Sequence, residues 1–329
     1  MENELITVKQ VTMNYRVREA DQSRNKLSNF LHPNYRTINA LANINFQVRA
    51  GDVLGYVGEN GAGKSTTIKI LLGILRKTSG SVTVLGHDPM AERKKIAPRV
   101  GTLMGQKSQL WWELPLQDSF YFLQKMYQRT DHADQIWLAE LVERLQVESF
   151  LKQPVRELSL GQRMRGEFIA ALLHQPEIVF LDEPTLGLDV ATRAAVLDLL
   201  LQINREQRTT ILYTSHEMAD VEKIANRLLL LEQGQVGYDG DLDRFKDQYA
   251  AYQRVAVQGV TDLKTIPGVT IYQRNNTNII CLLDQRLITT TAFIQQVPLL
   301  TQQAVKGIAV LPNDLEMILL LRAQRKGGA

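Results

Sequence analysis

The run GENGAGKS at residues 58–65 limits what this chain can fold into more than any other feature. It matches G-x-x-x-x-G-K-[ST] and sits between an apolar run, DVLGYVG, and a helical pattern, STTIKILLGIL. A phosphate-cradling loop needs that strand–loop–helix setting. Gly58, Gly61 and Gly63 let the backbone turn so that its N–H groups point inward at phosphate oxygens, and the helix start adds partial positive charge. Lys64 is placed to reach the β- and γ-phosphates, and Ser65 to hold Mg2+. A Gly-rich turn beside a surface lysine leaves both flanking elements unexplained. The loop alone does not separate a kinase, a GTPase and an ATP-driven machine.

The flanking pattern favours an α/β fold. LITVKQV, INFQV and DVLGYVG alternate as strands. EIVFLDEP has no polar alternation and reads as a strand buried on both faces of a parallel sheet; RTTILYTSH and RLLLLEQGQV follow in the same manner. Strands alternating with helices make a parallel sheet the natural core. The polar, basic stretch 16–37 interrupts the first strands and reads as a solvated insertion with a helical turn near Leu27–Leu31, the other reading being a segment that touches a membrane surface or a partner. Residues of about 105–165 are helix-rich, with LAELVERL the clearest amphipathic piece. The chain thus divides into a first domain, 1–240, and a smaller α+β domain, 241–329, whose short strands and two helices suggest a ferredoxin-like βαββαβ unit with a C-terminal helix.

Composition narrows the setting. Lys plus Arg exceeds Asp plus Glu by only 38 to 35, so no bulk basic field argues for nucleic acid. The single cysteine, Cys281, excludes an internal disulfide framework. No apolar run reaches the roughly 18 residues of a membrane span, and the opening MENELITVKQ lacks a secretory pattern. A cytosolic chain that meets a membrane only through a partner is the expectation.

Two further motifs carry chemistry. Asp182 ends the buried run IVFLDE, where a magnesium-holding acid belongs, and Glu183 follows at the exit, placed to align or deprotonate an attacking water. In LSLGQRMR, Ser159 and Gln162 fit a capping box. Met164, Phe168 and Leu172 then share one helical face.

With GENGAGKS, LSLGQ, IVFLDEP, GLD and the histidine of TSH in that order, residues 5–240 resemble the nucleotide-binding subunit of ATP-binding-cassette (ABC) transporters of the exporter type. The resemblance implies a P-loop NTPase fold of parallel sheet core, antiparallel β subdomain and helical subdomain. It implies ATP as ligand, held by Gly58, Asn60, Gly61, Gly63, Lys64, Ser65 and Thr66, with Tyr15 against adenine; a core tyrosine is the other reading of Tyr15. Mg2+ falls to Ser65, Asp182 and Gln106, and catalysis to Glu183, His216 and Gln106. Two such chains, or a chain and a paralogue, would pack head to tail, so that Ser159, Gly161 and Gln162 serve the nucleotide of the partner and Asp189 signals across the pair. A multi-span permease would be the further partner, with no nucleic acid. Leu160 departs from the usual LSGGQ, and its side chain must point away from the phosphate. Trp111, Trp112 and Pro115 have two readings, an apolar socket for a permease helix or the core of the helical subdomain. A soluble cassette ATPase of translation or DNA repair is the competing class; those carry two cassettes or a long coiled coil, which this sequence lacks. A metabolic P-loop kinase has no use for LSLGQ.

Overall fold

The computed structural model describes residues 4–19, 34–104 and 108–327. They form two compact units that meet in sequence between Asp241 and Leu242.

In the first unit, β1 (Glu4–Glu19) and β2 (Asn34–Arg49) form a long antiparallel ribbon. β3 (Val53–Gly58) leads through the glycine loop into α1 (Lys64–Leu71), and β4 (Ser79–Val84) returns to β1, giving a three-stranded antiparallel sheet of order β2-β1-β4. A short α2 (Arg93–Ile96) precedes β5 (Val100–Met104). Three helices follow, α3 (Leu116–Met126), α4 (His132–Arg144) and α5 (Leu160–Leu172). β6 (Ile178–Asp182), α6 (Val190–Gln207), β7 (Thr210–Thr214), α7 (Met218–Ile224), β8 (Arg227–Glu232) and β9 (Gln235–Asp241) complete the unit. The main sheet has order β5-β6-β7-β3-β8-β9, parallel throughout except for β9. Its central strands are buried on both faces, with every residue of β7 and the first four of β6 inaccessible. That burial is why they read as unbroken apolar runs.

The structure corrects the reading of 16–37 as a loop. The ribbon continues into it from both sides, pairing Arg16 with Thr37, Val17 with Arg36 and Arg18 with Tyr35. Val17, Tyr35 and Ile38 supply β-branched and aromatic residues suited to strands, and all three are exposed. The remainder, 20–33, including the turn expected near Leu27–Leu31, lies outside the described residues.

Buried polar contacts fasten the helices to one another and to the main sheet. Trp137 Nε1 donates to Leu172 O at 3.1 Å. His174, just past α5, is 1% exposed; its Nε2 lies 3.1 Å from Val100 O at the start of β5, and its ring stacks on Tyr127 at 4.1 Å. A carbonyl can only accept, so Nε2 carries the proton. His174 Nδ1 has no hydrogen-bond partner among the described residues.

In the second unit, α8 (Leu242–Asp247) precedes β10 (Tyr252–Gln258), β11 (Val269–Arg274), β12 (Asn278–Asp284), α9 (Thr290–Leu300), β13 (Gly307–Leu311) and α10 (Leu315–Gly327). The sheet is antiparallel, of order β11-β12-β10-β13. Val255, Val257, Ile279 and Cys281 line one face and join Phe293 and Val297 of α9 in a core. The first helix of the expected βαββαβ unit is absent. Its place is taken by residues 259–268, GVTDLKTIPG, where Gly259 and Gly268 both adopt φ +82° and Pro267 removes a donor, so too little chain remains for a helix.

Burial pushes the His174 imidazole down to about 4 from its ordinary 6.5. The unfolded chain therefore takes up this proton near 6.5 and the folded chain only near 4. Stability from the neutral ring is complete above pH 6.5 and is lost as pH falls toward 4, by on the order of 2–3 kcal/mol. Urea unfolding between pH 7 and 4.5 should show a steeper loss for the native chain than for His174→Asn.

Candidate functional site

The site is built at the C-terminal edge of the main sheet, where β3, β6 and β7 end side by side. Gly61 and Gly63 adopt φ +81° and +111°, conformations open to glycine but costly for other residues. A Cβ on Gly63 would stand 2.6 Å from Ala40 O. Gly58 needs a different account from the one its sequence suggests. Its φ is not positive; a Cβ there would lie 2.3 Å from Leu231 O on neighbouring β8, so glycine is required for close strand approach.

Lys64 opens α1 and folds back over the loop, its Nζ donating to Gly58 O at 2.6 Å and Glu59 O at 3.1 Å. Burial pulls its ammonium below the ordinary range, while the charges of Glu183 and Asp182 pull it up. Ser65 Oγ donates to Asp182 Oδ2 at 3.1 Å. The other carboxylate oxygen of Asp182 accepts from Thr214 Oγ1 at 2.7 Å. This places a hydroxyl and a carboxylate together beside the lysine, an oxygen set suited to a hard divalent cation.

Glu183 sits at φ +54°, a left-handed conformation that costs a non-glycine residue on the order of 1 kcal/mol or more. Its N–H donates to Thr214 O and Oγ1, both at 3.2 Å. Its carboxylate accepts from the His216 N–H at 3.2 Å and lies 3.4 Å from His216 Nε2. The strained turn lifts the carboxylate out of the strand and the histidine holds it there.

A cleft of about 390 Å³ collects Asn60, Gly61, Gly63, Lys64, Ser65, Thr66, Asp182, Glu183, His216 and Tyr15. Tyr15 packs partly buried against the core and also lines the cleft, its hydroxyl 3.2 Å from Thr66 Oγ1. Gln106 lies outside the described residues.

Ser159, Gly161, Gln162 and Asp189 are not among the described residues that line this cleft. The capping box is formed: Ser159 Oγ accepts from the Gln162 N–H at 3.3 Å, and the Ser159 N–H donates to Gln162 Oε1 at 2.9 Å. Gln162 is thereby occupied within its own helix. Asp189 caps α6, accepting from the Thr192 N–H at 2.9 Å and Thr192 Oγ1 at 2.6 Å; those bonds hold its carboxyl below the usual range. Trp111 and Trp112 are 41% and 50% exposed, so they are not core residues of the helical subdomain. With Tyr121, Phe122 and Met126 they make an exposed apolar strip, in which Trp111 and Phe122 lie 5.7 Å apart.

Three residues of the site escape a reading of the sequence. Thr214 ties Asp182 to Glu183, and its only signal is a hydroxyl at the end of the apolar run ILYT. Asp220, 3% exposed, accepts from Thr185 Oγ1 at 2.7 Å, Tyr213 OH at 3.1 Å and Arg193 Nε at 2.6 Å, bracing the segment between Glu183 and His216. Glu167 of α5 is also buried; it accepts from Ser108 Oγ and from the Gln109 N–H at 3.0 Å, and desolvation pushes its carboxyl up. Asp220 and Glu167 lie in helices whose sequences look like solvated faces.

The ABC transporter family model matches residues 41–186. The matched residues belong to an ABC transporter ATP-binding domain. The ABC transporter ATP-binding protein NatA of Bacillus subtilis (strain 168) is 28% identical over 208 residues, 63% of this chain and 84% of that protein. The linearmycin resistance ATP-binding protein LnrL of the same organism is 34% identical over 193 residues, 59% of this chain and 61% of its own length. An ATP-binding subunit of an ABC transporter superposes with a TM-score of 0.62 at 23% identity, covering 74% of this chain and 93% of that one, which bears on the fold. The ABC ATP-binding domain thus accounts for the mixed sheet, the glycine loop and the acids at the strand ends.

Replacing Thr214 by valine keeps shape and burial but removes the hydroxyl that links Asp182 to Glu183. ATP turnover by Thr214→Val should fall roughly tenfold, the equivalent of about 1.4 kcal/mol, with an unfolding midpoint close to the native one. Steady-state phosphate release measures the first and urea titration the second.

Proposed function

We propose that this chain is the ATP-hydrolysing subunit of an ABC exporter, driving a separate membrane permease through ATP-dependent pairing of two cassettes. The observation that carries it is the contact between His216 and Glu183, which holds a strained carboxylate over the same cleft as Lys64, Ser65 and Asp182. A cradle that only bound nucleotide would need no such carboxylate.

In this reading the glycine-loop N–H groups and Lys64 hold the β- and γ-phosphates, Tyr15 lies against the base, and Asn60 and Thr66 complete the loop's contacts. Ser65 and Asp182, with Gln106, would hold Mg2+, which would offset negative charge on the phosphate oxygens. Lys64 must release the Gly58 and Glu59 carbonyls to reach a phosphate, and its partial burial favours that exchange for an anion. Glu183 aligns and deprotonates the attacking water, and His216 holds both Glu183 and the γ-phosphate. Ser159 and Gly161 donate to the nucleotide of a second cassette, with Asp189 signalling between the two sites. Their separation from the chain's own cleft supports this arrangement.

The permease-facing surface is the strip of Trp111, Trp112, Tyr121, Phe122 and Met126, large apolar side chains each more than 40% exposed. No helix among the described residues is long and apolar enough to cross a membrane, so attachment to the cytoplasmic face of the membrane would come through the permease. Outward transport of an amphiphilic compound rests on similarity to the linearmycin resistance protein.

Glu183→Gln is the deciding substitution. It should abolish hydrolysis, keep ATP binding and accumulate an ATP-bound dimer in size-exclusion chromatography with light scattering. Hydrolysis at the native rate would remove Glu183 from its assigned role.

A further inference from the structure

Leu160 replaces the first glycine of the usual signature, and the structure gives its side chain a definite destination. Leu160 Cδ2 lies 2.7 Å, and Cγ 3.7 Å, from where a Cβ on Gly187 would stand. Gly187 has φ +78°, a conformation that favours glycine, and the end of the Leu160 side chain, itself half-exposed, fills the space that a Cβ there would take. By contrast, nothing among the described residues lies within 4 Å of a Cβ built on Gly161. The leucine thus turns toward its own chain and leaves the Gly161 side of the signature open.

A second, polar contact runs in parallel. Arg165, one turn further along α5, donates from Nη2 to Thr192 Oγ1 at 2.6 Å and lies 3.8 Å from Asp189 Oδ2. The start of α5 therefore touches the segment from Gly187 to Thr192 twice, through methyl groups at Leu160 and a guanidinium at Arg165. That segment continues the turn after β6: Leu186 N–H donates to Glu183 O at 3.4 Å, and Leu188 N–H to Thr185 O at 3.2 Å.

We propose that Leu160 is a positioning residue, an apolar strut that makes the signature and the Gly187–Asp189 turn of one chain move as a unit. The proposal rests on the head-to-tail pairing above. When a partner's nucleotide engages Ser159 and Gly161, the displacement passes through Leu160 to Gly187, and through the turn at 183–188 to the chain's own Glu183. A glycine at 160 would remove this contact and admit water above Gly187. The large residue at 160 and the absent side chain at 187 are a matched pair.

The test compares the full chain with Leu160→Gly, Leu160→Met, Gly187→Ala and the double variant Leu160→Gly/Gly187→Ala, each followed by ATP-dependent phosphate release and by urea unfolding without nucleotide. The native chain should hydrolyse ATP cooperatively. Leu160→Gly should bring the Hill coefficient toward one and raise half-saturating ATP roughly fivefold, while Leu160→Met, which still reaches Gly187, keeps the cooperativity. Gly187→Ala should lower kcat/KM roughly tenfold on its own but only about twofold in the Leu160→Gly background, because its steric part is gone and only its backbone part remains. Equal losses in both backgrounds, or a Hill coefficient that Leu160→Gly leaves unchanged, would overturn the strut. Failure of Glu183→Gln to dimerise with ATP would instead overturn the pairing. The urea series still reads the contact in that case: non-additive midpoints for the double variant support it, and additive ones refute it.

Discussion

The parallel register of β6 on β7, with Asp182 opposite Thr214, is the constraint on which the site depends. β7 also pairs with β3, Val53 opposite Ile211, so the strand that launches the glycine loop and the strand that delivers the acids are held at fixed heights on either side of β7. A slip of one residue would reverse every side chain across the sheet. It would put the carboxylate of Asp182 into the core and separate it from Ser65. The register is secured by residues without chemistry of their own, Val179, Phe180, Leu181, Ile211 and Leu212, all fully buried or nearly so. Apolar burial of this extent is the dominant favourable term in folding, and here it also sets the position of the acids.

Beyond the sheet edge, order comes from buried polar groups. Asp220 accepts three hydrogen bonds and pairs with Arg193, the combination that makes a buried charge tolerable. With that network and Thr214 in place, Glu183 keeps its unfavourable backbone conformation and presents its carboxylate to His216. Glu167 plays a comparable part on the other side, fixing residues 108–109 to α5. The local strain at Glu183 is thus supported by interactions spread over α6, β7 and α7.

The sequence made the glycine loop, the Asp182–Glu183 pair and the strand at His216 legible because each follows a run of apolar residues whose pattern announces a buried strand. The Ser159–Gln162 cap was equally readable, since both partners lie within one turn. Contacts between residues distant in sequence were not. Nothing near Leu160 indicates that it rests on Gly187, 27 positions later, and the buried acids Asp220 and Glu167 have the spacing of solvated ones. The requirement for glycine at Gly58 was visible while its reason was not, because Leu231 O belongs to a strand reached only through the fold. The two tryptophans gave two readings, and their exposure excludes the one that made them core residues. In the second unit, Gly259, Pro267 and Gly268 leave no room for a helix over residues 259–268, although the strands and helices after it follow a ferredoxin-like order.

In the pairing we propose, each nucleotide is shared by two chains, the loop from one and the signature from the other. Mixing a Lys64→Ala chain with a Ser159→Ala chain tests it most directly. Each alone should be nearly inactive, yet the mixed dimer contains one composite site with an intact Lys64 from one chain and an intact Ser159 from the other. The account requires ATP hydrolysis by the mixture well above the sum of the separate chains, rising and then levelling as one is titrated into the other. A mixture no more active than its separate components, in a preparation shown to contain mixed dimers, would contradict it.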